Sequence, residues 1–407
     1  MKTNYLFLSL AIVAMLFASC EADDTAEIVI NNTDNSVDNS VTNNNPNGGN
    51  EGSEEGQDVV LEGNYTSDVI LRPQDNNMLT GAMIMAPGTK LTIPAGTKIN
   101  ADASGASVYI AISQDATIDA QGTSSAPIVM TSSASSPAAG DWGGLILLGR
   151  APINSTAGGA TSTSEIGGLP YGGNDDADFS GIVTYVRVEY GGGAADGQSE
   201  NNGFSFYGVG SGTTVNHIQT YIGADDGVEF FGGTVNVSYL SVIGAQDDSI
   251  DWTEGWSGSV NYAYVEHLAE HDKGIEADGF NTDIGNNSNP VYFSMPEISN
   301  VTIIGFDATD TDSEAVRLRA GTRGIFTNIY IQDFYEGFDL DGDSGDNPTG
   351  QGVVDGDLNV TEVNFVNINT KYKNDTGVTF AEGDFIKSEG SYNGTSAYAT
   401  WGAGWTR

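Results

Sequence analysis

Two short strand patterns recur along the second half of this chain, and their spacing limits the fold more than any other feature. One reads Val215-Asn-His-Ile218, then Val235-Asn-Val-Ser-Tyr-Leu240 and Val260-Asn-Tyr-Ala-Tyr-Val265. It returns as Ile298-Ser-Asn-Val301, Phe326-Thr-Asn-Ile329 and Val363-Asn-Phe-Val366. The other reads Asp225-Asp-Gly-Val-Glu-Phe230, Asp247-Asp-Ser-Ile-Asp-Trp252 and Asp272-Lys-Gly-Ile-Glu-Ala277, with later copies Ser313-Glu-Ala-Val-Arg-Leu318 and Tyr335-Glu-Gly-Phe-Asp-Leu340. These copies begin at residues 225, 247, 272, 313 and 335, offsets of 22, 25, 41 and 22. A period of roughly 20–25 residues holding two or three short strands is one winding of a parallel β-helix. The offset of 41 is either two windings or one winding with a long loop near residues 282–290.

One winding cannot bury its inward row of side chains. Stacking windings about 4.8 Å apart pairs each strand with those above and below and turns inward positions into columns. Val228, Ile250, Ile275, Val316 and Phe338 form one such column. The expected fold is therefore all-β, a single-stranded right-handed parallel β-helix over residues 58–407 with pectate-lyase-like architecture. At that rise the body holds ~12–15 windings over ~60–70 Å. Earlier segments fit the plan: Leu91-Thr-Ile-Pro-Ala-Gly-Thr-Lys-Ile99, Ala116-Thr-Ile-Asp-Ala-Gln-Gly122 and Ala126-Pro-Ile-Val-Met130 read as strands and turns. No stretch shows a helical period. Open ends would expose strand edges, so caps are expected, with Trp401-Gly-Ala-Gly-Trp405 as the C-terminal candidate.

The N-terminus is different in kind. Lys2 precedes an apolar run from about Tyr5 to Phe17, too short for a membrane span and typical of an export signal over residues 1–19. Leu16-Phe17-Ala18-Ser19-Cys20 resembles the bacterial lipobox, which makes Cys20 the expected lipidation site and N-terminal membrane anchor. Cys20 is the one cysteine, so the chain cannot form an internal disulfide. Residues 20–57 read as a polar, acidic tether that cannot bury enough apolar surface to offset its ordering entropy. Within it, Asp24-Thr25-Ala26 resembles an O-glycosylation pattern of the phylum Bacteroidota, and Glu21-Ala22-Asp23-Asp24 resembles the surface-export signal of its lipoproteins. The acidic stretch after Cys20 implies lipid anchoring in the outer membrane with the body exposed at the cell surface.

Charge narrows the partners. With 55 Asp+Glu against 14 Lys+Arg the net charge is −41, which repels nucleic acid and anionic lipid and leaves cations, basic proteins and neutral glycans. Aligning the second repeat puts the acids into register. Asp225, Asp247 and Asp272 share one column. Asp226, Asp248, Glu314 and Glu336 share the next, interrupted by Lys273. Glu229, Asp251, Glu276 and Asp339 share a third, interrupted by Arg317. Two carboxylates about 5 Å apart repel by roughly 1 kcal/mol in water and by more at a low-dielectric surface. Bound Ca²⁺, the interleaved Lys273 and Arg317, or protonation would relieve this.

The calcium ladder is expected at Asp225, Asp226, Asp247, Asp248, Asp251 and Asp272. Ligand contacts are expected at Glu229, Glu276, Arg317 and Asp339, with Trp252 and Trp256 as rings on which a sugar could stack. The opposing reading is plain turn chemistry, with Asp capping tight turns and its charge solvated. His267 and His271, near Glu270 and Asp272, offer either a transition-metal pair or a polar turn, and their order is not the HExxH of zinc peptidases.

Several blocks together carry a resemblance: the Ile118-Asp-Ala-Gln-Gly122 turn, the stretch 140–153 (GDWGGLILLGRAPI), and residues 225–233 and 247–256. Over about residues 90–405 the chain resembles a family of secreted or lipid-anchored β-helix proteins of Bacteroidota, often labelled hypothetical or multidrug transporter. The transporter label conflicts with a sequence that has no membrane-spanning run after the signal. The resemblance brings no firm activity. The main expectation is a surface lipoprotein, not an enzyme, that binds a ligand, glycan or partner protein, in one version beside an outer-membrane transporter of nutrients. The alternatives are a carbohydrate-active enzyme, either a polysaccharide lyase or a glycoside hydrolase using carboxylates such as Asp247, Asp248 and Asp251, and a structural adhesin.

Overall fold

A strand whose side chains alternate apolar and polar can bury one row and solvate the other. Repeated at one winding per period, that alternation closes into a hollow coil filled by its own side chains. The structure, a computed structural model, describes residues 55–156, 161–194, 201–282, 286–287, 289–341 and 349–407. The export signal, Cys20 and nearly all of the tether lie outside the described residues. The described body is a right-handed parallel β-helix: 21 strands join one continuous sheet, and every pairing in that sheet is parallel. A separate antiparallel pair, Ser162–Thr163 with Pro170–Tyr171, sits in a surface excursion. No helix among the described residues is long and apolar enough to cross a membrane.

The winding has three faces, met in chain order as B, A and C; in one winding they are residues 214–216, 218–223 and 228–231. Face C holds the second repeat. Its strands run from Asp58–Tyr65 through Asn76–Met85, Ile110–Ile112, Leu145–Leu148, Phe204–Tyr207, Val228–Phe231, Ile250–Thr253, Ile275–Asp278, Glu314–Arg319 and Gly324–Leu340 to Leu358–Asn374, eleven windings. The expected ~12–15 is too many because excursions at 133–144, 149–180 and 279–296 consume chain without adding a winding. Ile275 pairs directly with Val316, so the 41-residue offset is one winding plus loops.

Register follows the repeat. Val228, Ile250, Ile275, Val316 and Phe338 are consecutive partners, and all five are fully buried. Two residues on, Phe230, Trp252, Ala277, Leu318 and Leu340 form a second inward column. Trp256 stacks on Phe230 with ring centroids 4.0 Å apart. Fully burying each large apolar side chain contributes about 1.5–3 kcal/mol, so stability accrues winding by winding.

Faces B and A meet at a one-residue corner. Tyr185, His217, Tyr239, Tyr262, Asn300, Asn328 and Glu362 occupy it in turn, each with φ between 51° and 60°. A non-glycine residue there costs about 1–2 kcal/mol, and stacking along the corner offsets that cost. The Tyr185, His217, Tyr239 and Tyr262 rings lie 4.2, 4.3 and 5.1 Å apart in sequence, and Asn328 donates to Asn300 at 3.0 Å.

The C-terminal segment departs from expectation. Trp401 and Trp405 do not close an end; they belong to a strap that runs back along the side of the coil. Trp405 meets Tyr185 and His217 edge-on, and Trp401 meets Tyr239. Phe385 and Ile386 cover the last winding instead, with Phe385 5.2 Å from Phe338. Three short helices, Thr349–Asp355, Glu382–Phe385 and Thr395–Trp401, were not legible because none is long enough to show a period.

Candidate functional site

On face C the residue between two inward positions points outward. Glu229, Asp251 and Glu276 therefore stand one above another, continuing to Arg317, Asp339 and Lys373. The turn before each strand adds Asp225–Asp226, Asp247–Asp248 and Asp272–Lys273. Glu229, Asp251, Glu276 and these turn residues line an open cavity of about 350 Å³, together with Glu165 and Arg319. Glu165 comes from the 149–180 excursion. That excursion packs Ile153, Ile166 and Tyr171 over the outward side chains of Ile146, Leu148, Tyr207 and Phe231, forming a second small core and one wall of the groove.

The aspartates have two jobs. Asp226 accepts the Asp248 backbone N–H at 2.9 Å, and Asp248 accepts that of Lys273 at 2.7 Å. This inner column is turn chemistry, and it also fixes the carboxylates in place. The remaining oxygens converge. One oxygen from each of Asp226, Glu229 and Asp251 lies within 4.8 Å of the other two, and the same holds for Asp248, Asp251 and Glu276, for Asp225, Asp226 and Asp247, and for Asp247, Asp248 and Asp272. Asp251 belongs to two of these sets, and its Oδ1 is buried with no hydrogen-bond partner.

Burial pushes the Asp226, Glu229, Asp248 and Asp251 carboxyls well above the usual carboxylate range, and neighbouring carboxylates add to it. Asn202, donating to Glu229 at 2.8 Å, partly opposes the shift, as do Lys273 for Asp248 and Arg319 for Asp251. Glu229 and Asp251 keep some exposure and face the opening. Arg319 is held by Glu276 and by Asp278 at 2.6 Å, and Lys273 by Asp272.

The ladder residues Asp225, Asp226, Asp247, Asp248, Asp251 and Asp272 thus come together with Glu229 and Glu276. Four other expected contacts do not. Trp252 and Trp256 are fully buried inside the coil, because Trp252 shares inward parity with Ile250 and Trp256 closes over Phe230; neither presents a face to a sugar. Arg317 lies beyond the cavity, bonded to Asp341 at 2.8 Å. Asp339 forms a separate cluster with Glu314 and Glu336, which Arg317 and Lys373 already approach. Arg319, which with Arg317 and Lys273 is a candidate lyase base beside the ladder, does line the groove, and Glu165 joins it unforeseen by the repeat. Glu165 carries no repeat signal, whereas Arg319 was visible as the residue stacked on Asp278.

His267 and His271 stack 4.5 Å apart, and burial drives the His267 imidazole down to about 3. Neither joins a group of three metal-ligand atoms among the described residues.

Oxygen-only donors at these separations fit a hard cation. Oxygens about 2.4 Å from Ca²⁺ on opposite sides of the ion lie about 4.8 Å apart. The two triads sharing Asp251 meet that limit, and the partnerless Oδ1 supplies a ligand atom that nothing else uses.

Among known families, the one described as pectate-lyase like beta helix domain matches residues 63–406. No curated protein matches the chain. Among solved structures, the catalytic domain of a GH87 α-1,3-glucanase in complex with tetrasaccharides aligns at 11% identity and a TM-score of 0.31, covering 84% of this chain and 64% of that one. The chain thus spans less than two-thirds of that domain, and the likeness is too distant to bear on activity.

Proposed function

We propose, for a chain that belongs to the pectate-lyase-like β-helix family, that the face-C groove is a calcium-class cation site and that the protein uses it to bind at the cell exterior. The observation that carries this reading is Asp251, shared by two carboxylate triads and left with a buried, partnerless oxygen. Nine carboxyl side chains line the cavity against Lys273 and Arg319, and both cations are already paired. A divalent ion relieves that imbalance without requiring protonation. The lipobox-like Cys20 supports placement on an outer membrane, tethered by the acidic segment. A glycan or a neighbouring transporter remains the proposed partner there. Calorimetric titration of CaCl₂ into the chelator-treated body tests the cation site: saturable binding of about one or two ions is expected, and no binding at millimolar calcium refutes it.

A second reading, glycoside hydrolysis, is supported by the raised carboxyls, which suit a general acid. Its geometry is less favourable, because oxygens of three carboxyl groups at a time converge within 4.8 Å, whereas a glycosidase sets one acid against one nucleophile or base across the scissile bond, roughly 5–5.5 Å apart in retaining and 6.5–9.5 Å in inverting enzymes. Lyase chemistry has less support still, because Arg319 and Lys273 are ion-paired as the base would not be. New reducing ends from a polysaccharide panel, lost in Glu229→Gln, would establish the hydrolase.

A further inference from the structure

Face A carries a second groove that owes nothing to the carboxylate ladder. Its outward column reads Lys98, Val129, Arg187, Gln219, Ser241 and Tyr264 on successive windings. From Gln219 onward the C-terminal strap lies in this face. Gly394 N–H donates to Thr302 at 3.1 Å, Tyr398 stacks on Tyr264 at 3.9 Å and meets the Ser241 hydroxyl at 3.0 Å, and Arg407 N–H donates to Gln219 at 2.8 Å. Beside Arg407 the same face forms an open cavity of about 630 Å³, walled on one side by Ser132, Ser133, Ala134 and Pro137. That volume lies within the roughly 300–1,000 Å³ common for small-molecule sites.

The lining is the reverse of the ladder in charge. Arg187 and Arg407 share one buried carboxylate, Glu189, at 2.6 and 2.8 Å. Arg407 is also held over the Tyr221 and Tyr190 rings, 4.8 and 5.4 Å from their centroids. Lys98 stands exposed two windings from Arg187, with no ion pair found among the described residues. Three cations thus line the groove with Glu189, in a chain where acids outnumber bases 55 to 14. The hydroxyls are oriented as well. Thr97 donates to the Pro94 carbonyl at 2.7 Å, Thr131 to Glu189 at 2.8 Å and Ser132 to Asp141 at 2.5 Å. Thr97 is fully buried; the Thr131 and Ser132 protons are committed, and although Ser132 already accepts the Ala134 N–H at 3.1 Å, each keeps a lone pair to accept from a ligand.

Cations prepositioned beside hydroxyl acceptors match a molecule that carries an acidic group on a body rich in O–H donors. We infer that this groove binds an acidic sugar unit, with Arg187, Arg407 and Lys98 receiving its carboxylate or sulfate and Thr131 and Ser132 accepting from its ring hydroxyls. The strap already lying in line shows that the face accommodates an extended chain, so the unit can belong to an oligosaccharide. The inference is independent of cation binding on face C.

The test is calorimetry on the whole body with three tetrasaccharides: unsulfated chondroitin, sulfated chondroitin and neutral chitotetraose. At least one acidic probe is expected to bind at least about tenfold more tightly than the neutral one, and the tighter of the two identifies the acidic group. Lys98→Glu reverses an exposed charge without touching the core, and should weaken acidic binding by about tenfold or more. Raising NaCl from 50 to 500 mM should weaken it too. Asp251→Asn should leave it unchanged, which separates this site from the ladder. Equal affinity for chitotetraose, indifference to Lys98→Glu in a variant of unchanged melting temperature, or no binding of either acidic probe overturns the inference.

Discussion

Replacing Asp251 by Asn should stabilise the cation-free protein, the opposite of what most buried substitutions do. Asp251 has a carboxyl oxygen within 4.8 Å of Asp226 and Glu229 in one triad and of Asp248 and Glu276 in the other. At that distance, and at an effective dielectric of about 20, each ionised pair repels by about 3.5 kcal/mol. Protonation limits how much of this the folded protein bears. Burial and neighbouring charge raise the carboxyl's folded pKa above its unfolded value, so its favourable contribution is complete below about pH 4 and is lost as pH rises. Removing the charge at pH 7.5 should therefore recover about 2–3 kcal/mol, or ~3–4 °C in melting temperature for a chain of this size. Calcium should act in the other direction. At a hundred times its Kd it stabilises the native protein by about 2.7 kcal/mol, and Asp251→Asn should forfeit most of that. Scanning calorimetry in chelator and in calcium, at pH 7.5 and pH 4, shows both effects. A variant that melts below the parent in chelator at pH 7.5 would refute the repulsion argument. One that keeps the full calcium increment would refute the assignment of Asp251 as a shared ligand.

Other consequences are open to simpler measurements. Trp256→Ala removes a ring stacked on Phe230 inside the coil and should cost about 3–5 kcal/mol by urea denaturation while leaving sugar affinity unchanged; selective loss of sugar binding would place the ring at the surface. His267 is buried with its imidazole held down to about 3, so it favours the fold above about pH 6.5 and opposes it as pH falls toward 3. His267→Phe should accordingly narrow the stability gap between pH 7.5 and pH 5, and an unchanged gap counts against that burial. Cys20→Ser should release the exported chain from the membrane fraction and abolish fatty-acid labelling, whereas persistent membrane association would mean the anchor lies elsewhere.

The repeat made the long-range geometry legible because in a β-helix sequence period and spatial stacking are one quantity. Once Val228 and Ile250 align, Glu229 must stack on Asp251, and the acidic columns follow from the second repeat alone. Parity within the strand is equally legible: an outward Asp251 requires an inward Trp252, which removes that ring from any sugar platform. Glu165 and the strap were beyond reach for a different reason. The 149–180 excursion and the C-terminal segment obey no period, and their positions depend on surfaces that exist only after the windings stack. Trp405, for instance, finds the Tyr185 and His217 rings of windings far from its own in sequence. The run of positive-φ tyrosines at the corner is similarly hidden, since an isolated Tyr gives no local sign of a left-handed turn.

The most direct test of the cation ladder is anomalous diffraction from crystals of the body grown in chelator and soaked with Mn²⁺ or Tb³⁺ in place of calcium. The account predicts an anomalous peak among Asp226, Glu229 and Asp251 or among Asp248, Asp251 and Glu276, lost in Asp251→Asn crystals. A map with no peak on face C at saturating ion, or with peaks only at scattered surface acids, would contradict it.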